Sequence, residues 1–72
     1  MSQTLLDMRG MRCPWPALRV ARALRQAGVD EVVIVVADDP AAPDEIAAVA
    51  IERGWRLTSV ESTIGPALQL IR

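Results

Sequence analysis

The chain has 72 residues, with eight arginines, nine acidic residues and a formal net charge of −1. It contains one Cys and no His, Tyr, Phe or Lys, which excludes an internal disulfide, a zinc site of Cys and His ligands, and a histidine-dependent catalytic unit within one chain. A charge so close to zero argues against general nucleic-acid binding, because such domains are usually strongly basic. Any chemistry must rest on Cys13, on carboxylates, on arginines or on a partner.

The longest stretch without a charge, residues 62–71, has ten residues and falls well short of the ~20 apolar residues that span a bilayer. Charges at Asp7 and Arg9 interrupt any apolar core of a signal peptide. We therefore expect one domain over residues 1–72 in the cytoplasm, where a lone thiol stays reduced. No metal, cofactor, membrane or direct nucleic-acid partner is expected.

The first strand and the first helix are predicted from hydrophobic periodicity. Alternation over Thr4–Met8 predicts a short strand that stops at Arg9 and Gly10. The pattern of residues 14–27 predicts a helix, because apolar side chains recur at helical spacing while arginines occupy the other side. Gly28 follows where a left-handed helix cap is expected.

A second strand and a second helix follow. The β-branched run Val32–Ala37 predicts a strand in the centre of the sheet. Asp38 and Asp39, followed by a proline, predict the N-cap of the next helix, although two adjacent carboxylates could instead bind a cation. The alternative is that the Pro-Asp-Glu sequence at residues 43–45 forms the first regular turn of this helix, which should end at Gly54 in either case.

The last third of the chain predicts two strands, residues 55–61 and residues 67–72, joined by a turn at residues 62–66. The resulting order β-α-β-α-β-β predicts an α+β fold. This is a two-layer α/β sandwich with two helices on one face of a four-stranded mixed sheet. The other face is left either as a docking surface or simply as a moderately apolar surface.

The segment at residues 9–16, Arg-Gly-Met-Arg-Cys-Pro-Trp-Pro, contains the candidate site. A helix tolerates Pro14 and Pro16 only in its first turn, where the missing amide protons have no intrahelical acceptor. This places Cys13 at or just before the N-cap, and Gly10 allows a sharp turn between strand and helix.

The chemistry of Cys13 depends on its surroundings. The helix macrodipole and the neighbouring Arg9 and Arg12 favour the thiolate, so we expect the thiol pKa to be lowered by about one unit. The alternative is a small buried Cys that behaves as a hydrophobic residue.

Residues 6–16 resemble the Leu-Asp-x-Arg-Gly-Leu-x-Cys-Pro-x-Pro signature of the TusA/SirA family of small sulfur-carrier proteins, with Met11 in place of the usual Leu. Residues 37–41, Ala-Asp-Asp-Pro-Ala, resemble the second recurrent segment of that family. The resemblance implies a carrier whose Cys13 receives a persulfide sulfur from a cysteine desulfurase or rhodanese-like donor and relays it to an acceptor protein. The routes that such carriers serve include tRNA thiolation, molybdenum cofactor assembly and sulfur oxidation.

The same resemblance assigns roles to the residues around the thiol. Pro14 and Pro16 would be the scaffold that holds Cys13 at the helix start, while Arg9 and Gly10 would shape the turn. A carrier of this kind is more a shuttle than a self-sufficient enzyme. It is expected to be a monomer, because its thiol must remain open to successive partners.

Partner binding is expected on and beside the first helix. Trp15 is either an exposed anchor for a partner or part of the core, whereas Trp55 is expected in the core. Arg12, Arg19 and Arg22 either dock on an acidic partner or form a solvated helix face.

Two further functions remain open from the sequence. One is a regulatory or interaction module that binds a partner through its arginine-rich helix, with Cys13 incidental. The other is a thiol redox protein, which would need an intermolecular disulfide because the chain has no second Cys.

Overall fold

Four strands and two helices form the chain, and the computed structural model describes residues 2–72. In chain order the elements are β1 (Gln3–Met8), α1 (Trp15–Gln26), β2 (Val32–Ala37), α2 (Ala42–Glu52), β3 (Arg56–Ser62) and β4 (Gly65–Ile71). The predicted order is confirmed and β2 agrees residue for residue, while the other boundaries differ by a few residues. Within the described part of the chain, neither helix is long and apolar enough to cross a membrane.

The four strands form one mixed sheet in the order β1-β2-β4-β3. Strands β1 and β2 are parallel, and the pairs β2–β4 and β3–β4 are antiparallel. The parallel pair requires a crossover connection, which α1 supplies. Because β2 lies between β1 and β4, the prediction of a central strand is confirmed.

The main core lies between the sheet and the two helices, as the predicted two-layer sandwich requires. Its fully buried side chains come from strands and helices alike and include Met8, Val20, Val33, Val35, Ile46 and Leu70. Trp55 is 6% exposed and belongs to this core, as predicted. The guanidinium of Arg72 lies 4.9 Å from the centre of the Trp55 ring, which is a cation–π distance.

The face of the sheet opposite the helices carries a second, smaller apolar cluster. Ile34 and Val36 of β2 are only 8% and 5% exposed there, and they pack with Ala67, Val60 and Ile64. Neighbouring side chains of the β3–β4 hairpin therefore cover the apolar run of β2. The face is moderately apolar and does not leave that run open to solvent.

The two helices end differently from each other. Gly54 has φ of 77° and follows α2, as predicted, because glycine adopts this left-handed conformation without a steric penalty. The left-handed cap predicted at Gly28 is wrong. Ala27 already has extended backbone with φ −69° and ψ 139°, and the amide of Gly28 donates to the Glu31 carboxylate at 3.4 Å. A contact to a side chain beyond the helix thus replaces the predicted cap.

Candidate functional site

Cys13 lies in the loop that connects β1 to α1. Gly10 has φ of 82°, which allows the chain to turn sharply after Met8. Pro14 is the N-cap residue of α1, so Cys13 lies just before the helix, as predicted. The Cys13–Pro14 peptide bond is cis, Pro16 is buried in the first helical turn, and Cys13 itself is exposed. The alternative of a buried structural Cys is therefore excluded.

Two carboxylates from the end of β2 hold this loop. The amide of Gly10 donates to Asp38 Oδ1 at 2.9 Å and to Oδ2 at 3.1 Å. The amide of Cys13 donates to Asp39 Oδ2 at 2.9 Å. The parallel pairing of β1 with β2, in which Met8 lies opposite Ala37, brings the carboxyl ends of both strands to one edge of the sheet. The loop of Cys13 is thus fixed to a segment that lies 26 residues further along the chain.

The expectation that an aspartate caps α2 is wrong. Helix α2 starts at Ala42, and its N-cap residue Ala41 makes no hydrogen bond through a side chain. Asp39 Oδ1 does accept a hydrogen bond from the Ala41 amide at 2.8 Å, but its other oxygen binds the Cys13 amide. The carboxylate therefore joins the start of α2 to the thiol loop, which sequence reasoning did not anticipate.

A third carboxylate contacts the sulfur itself. Cys13 Sγ donates a hydrogen bond to Glu45 Oε2 at 2.7 Å, and Glu45 lies in the first turn of α2. The other oxygen, Oε1, is buried and has no hydrogen-bond partner among the described residues. From the sequence, Glu45 is only part of a possible helix start, and no sequence pattern indicates its contact with the thiol.

The pKa of Cys13 is raised above its usual value. The hydrogen bond to Glu45 is the largest cause, followed by loss of hydration and by the negative charges of Glu45 and Asp39. The predicted lowering of this pKa is therefore wrong. The pKa of Asp39 is lowered, chiefly by the hydrogen bonds from the Cys13 and Ala41 amides and to a smaller extent by the positive charge of Arg12.

Arg9 is occupied by a carboxylate. Its Nε and Nη2 atoms donate to Asp7 Oδ1 at 2.8 Å and to Asp7 Oδ2 at 2.7 Å. This bidentate pair and a third bond from the Arg9 amide lower the pKa of Asp7 to about 2. Asp7 therefore holds the Arg9 side chain beside the end of β1, and Arg9 is not among the groups that shift the pKa of Cys13.

The surface of α1 next to the thiol is both apolar and basic. Trp15 is 61% exposed and Leu18 is 54% exposed, so Trp15 is not part of the core. Together with Arg19, Arg22 and Met11 they line a shallow groove of about 490 Å³. We call this groove the α1 surface. It brings together three of the four residues that the sequence assigned to partner binding.

The fold and the site define a small α+β protein that presents one exposed thiol at a helix start. A sequence model of the family described as sulfurtransferase TusA matches residues 4–71, and the chain belongs to this family of sulfur carriers. A protein of Archaeoglobus fulgidus with the provisional name of sulfur carrier protein is 30% identical over 66 residues, which cover 92% of this chain and 86% of the relative.

A solved structure agrees with the fold. The crystal structure of a SirA-like protein from Desulfitobacterium hafniense is similar to this chain with a TM-score of 0.76 at 26% identity. The match covers 94% of this chain and 93% of that chain. The α+β architecture and the TusA/SirA resemblance of the sequence are both confirmed.

Proposed function

We propose that the protein is a cytoplasmic persulfide carrier whose Cys13 accepts a sulfur atom from a cysteine desulfurase or rhodanese-like donor and passes it to an acceptor protein. The observation that carries this proposal is the placement of the chain's single thiol. Cys13 is exposed, lies just before α1, and is fixed through its own amide by Asp39. A rigid backbone around an accessible thiol suits a sulfur atom that must be reached by two different partners.

The chemical step is an exchange between sulfur atoms. The Cys13 thiolate attacks the outer sulfur of the donor persulfide, a new S–S bond forms at Sγ, and the donor's S–S bond breaks. The electron pair of the broken bond leaves with the donor sulfur, which takes up a proton, so no oxidant or reductant is consumed. The second transfer repeats this exchange, with an acceptor thiolate attacking the outer sulfur of the Cys13 persulfide.

The composition of the chain supports a carrier more than an enzyme. A persulfide on Cys13 meets no second thiol that could expel its outer sulfur as sulfide, because the chain has only one Cys. Retention of the sulfur is thus a direct consequence of that composition, and the donor and the acceptor supply the remaining chemistry.

The test of the proposed function is loading by a donor. We expect incubation with a cysteine desulfurase and cysteine to add one sulfur atom to the intact protein, as read by mass spectrometry. Omission of cysteine is the control and should leave the mass unchanged. Failure of the protein to gain sulfur from desulfurase and rhodanese-like donors alike would contradict the proposal.

Asp39→Asn is expected to slow this loading by on the order of a hundredfold, because a displaced loop misplaces Cys13 Sγ and small displacements of a reacting group have effects of that size. Loss of the Asp39 charge, the smallest cause of the raised Cys13 pKa, acts in the opposite direction and is the weaker effect. Asp39 accepts from two amides, those of Cys13 and Ala41, whereas an asparagine offers only one oxygen and would turn its NH₂ group towards the other amide. Asp44→Asn is the matched control, since Asp44 is an exposed carboxylate in the first turn of α2. Equal loading rates for the two variants would show that Asp39 does not position Cys13.

The stability of the protein should depend on pH through the same carboxylate. The pKa of Asp39 lies below its usual value of 3.8, first because the Cys13 amide and then because the Ala41 amide donates to it. The stabilisation is therefore complete above the unfolded value and is lost as the pH falls through the lower folded value. In thermal melts, the difference in Tm between the wild type and Asp39→Asn should shrink below about pH 4. A difference in Tm that stays constant with pH would show that the ionised Asp39 carboxylate is not the source of this stabilisation.

The α1 surface is proposed as the docking surface for the donor. An exposed Trp beside basic side chains is typical of an interface anchor. Arg19 and Arg22 in the groove, together with the exposed Arg12 just before α1, fit an acidic partner. Trp15→Ala is expected to weaken donor binding by about 2 kcal/mol, or roughly thirtyfold in Kd, in a titration by calorimetry. Leu5→Ala is the control, because Leu5 is also exposed, at 46%, but belongs to β1.

The interaction-module alternative makes the opposite prediction for the thiol. Under that alternative, Cys13→Ala would preserve the cellular phenotype while charge reversal at Arg19 and Arg22 would abolish it. Under the carrier proposal both changes abolish it, the first by removing the sulfur site and the second by removing the docking charge.

A further inference from the structure

The side chain of Glu45 is in an unusual position for an acidic residue next to a nucleophile. Its Oε2 accepts the Cys13 Sγ–H hydrogen bond at 2.7 Å, and its Oε1 is buried without a partner among the described residues. A carboxylate can accept a hydrogen bond from a neutral thiol, but it repels the thiolate that forms when the proton leaves. The contact therefore favours the unreactive form of Cys13.

The charged groups that surround Cys13 together disfavour its thiolate form. Glu45 approaches from α2, and Asp39 approaches from the loop between β2 and α2. Of the two arginines in the loop before α1, Arg9 is paired with Asp7, and neither Arg9 nor Arg12 is among the groups that shift the pKa of Cys13. Two carboxylates thus act on the thiol, and neither nearby arginine offsets them.

We propose that Glu45 holds Cys13 as a neutral thiol in the free carrier and thereby slows its reaction with sulfur donors and other electrophiles. As a regulation of the sulfur site, this inference rests on the proposed function. Glu45 is a positioning residue that acts through its hydrogen bond with Cys13 Sγ and forms no covalent bond to sulfur. The helix start of α1 stabilises the thiolate only slightly, and the direct contact with Glu45 opposes that effect.

The chemical step explains why the protonation state controls the rate. The attack on a donor persulfide requires the thiolate, so the Sγ proton must leave before or as the new S–S bond forms. In the free carrier that proton lies between Sγ and Glu45 Oε2, and its removal leaves two negative charges within hydrogen-bond distance. A neutral side chain at position 45 removes this repulsion.

The experiment is the pH profile of Cys13 alkylation by iodoacetamide in wild type, Glu45→Gln and Glu52→Gln. Glu52 is an exposed glutamate two turns further along α2, so its variant has the same net charge without touching the site. We expect Glu45→Gln to react at least about threefold faster near pH 7, with a titration midpoint at lower pH, since each tenfold gain in thiolate equals one pKa unit. Glu52→Gln should match the wild type.

A second variant protects the test against a loss of folding. Glu45→Asp keeps the charge but withdraws it from Sγ by one methylene group, and it should give a smaller shift of the midpoint in the same direction. Circular dichroism shows whether each variant is folded. An unchanged or higher midpoint in a folded Glu45→Gln or Glu45→Asp protein would overturn the inference.

Uptake of sulfur from glutathione persulfide separates this inference from the proposed function. Intact mass should show faster loading in Glu45→Gln than in the wild type. If neither protein gains sulfur from glutathione persulfide, a cysteine desulfurase or a rhodanese-like donor while the alkylation midpoint still falls, the proposed function fails and the role of Glu45 stands. If the wild type loads but the midpoint does not move, the role of Glu45 fails and the proposed function stands.

Discussion

Cys13→Ser is expected to abolish sulfur loading completely. The chain has one thiol, and a serine hydroxyl neither attacks a persulfide at a useful rate nor carries a transferable sulfur atom. The fold should be unaffected, because Cys13 is exposed and a serine hydroxyl can donate to Glu45 in place of the thiol. The measurement is the intact mass after incubation with a cysteine desulfurase and cysteine.

The control for Cys13→Ser is its thermal melt beside that of the wild type. If the two melts coincide and Cys13→Ser gains no sulfur, the loss of loading comes from the missing thiol and not from unfolding. A Cys13→Ser protein that still gains one sulfur atom would contradict the assignment of the thiol as the sulfur-bearing group.

Ile46→Ala is expected to lower the free energy of unfolding by about 2–5 kcal/mol, because it removes a buried side chain and leaves a cavity. Ile46 is 0% exposed and packs between α2 and the sheet. A chain of this length has a total stability of roughly 4–11 kcal/mol, so the change removes a large part of it. Urea unfolding followed by circular dichroism measures the difference.

The same helix offers a matched control for Ile46→Ala. Ile51 is 77% exposed, and Ile51→Ala should change the free energy of unfolding by no more than about 0.5 kcal/mol. Similar costs for the two substitutions would contradict the assignment of the core. Because Glu45 immediately precedes Ile46, the core contact of Ile46 also fixes the turn of α2 that contacts the thiol.

The fold was predictable wherever the pattern is local. The β-branched run Val32–Ala37 defined β2 exactly, because such side chains favour a half-buried pleated surface and charged residues flank the run. The cap at Gly28 was wrongly predicted, because the backbone is already extended at Ala27 and Gly28 does not adopt the left-handed conformation.

The position of the thiol was predictable, but its acidity was not. Pro14 and Pro16 restrict where α1 can begin, so they fix Cys13 from sequence alone. The group that raises its pKa, Glu45, lies 32 residues away, and no spacing rule reveals that contact.

The contacts of Asp38 and Asp39 with the Cys13 loop could have been predicted from the order of the strands. Asp38 and Asp39 directly follow a strand that pairs in parallel with the strand preceding the Cys13 loop. The carboxyl ends of adjacent parallel strands meet at one edge of the sheet, which places those carboxylates beside the loop amides. Local capping propensity instead predicts an aspartate cap on α2, which the structure does not have.

Cys13 is proposed to carry a transferable sulfane sulfur, and reaction with cyanide tests this role most directly. Added mass alone does not suffice, because a sulfinic acid adds nearly the same mass as one sulfur and is not reversed by thiols. After loading and removal of the donor, cyanide should attack the outer sulfur and release one thiocyanate per chain, restoring the mass of the free thiol. Loaded protein that releases no thiocyanate and keeps its added mass would contradict the account.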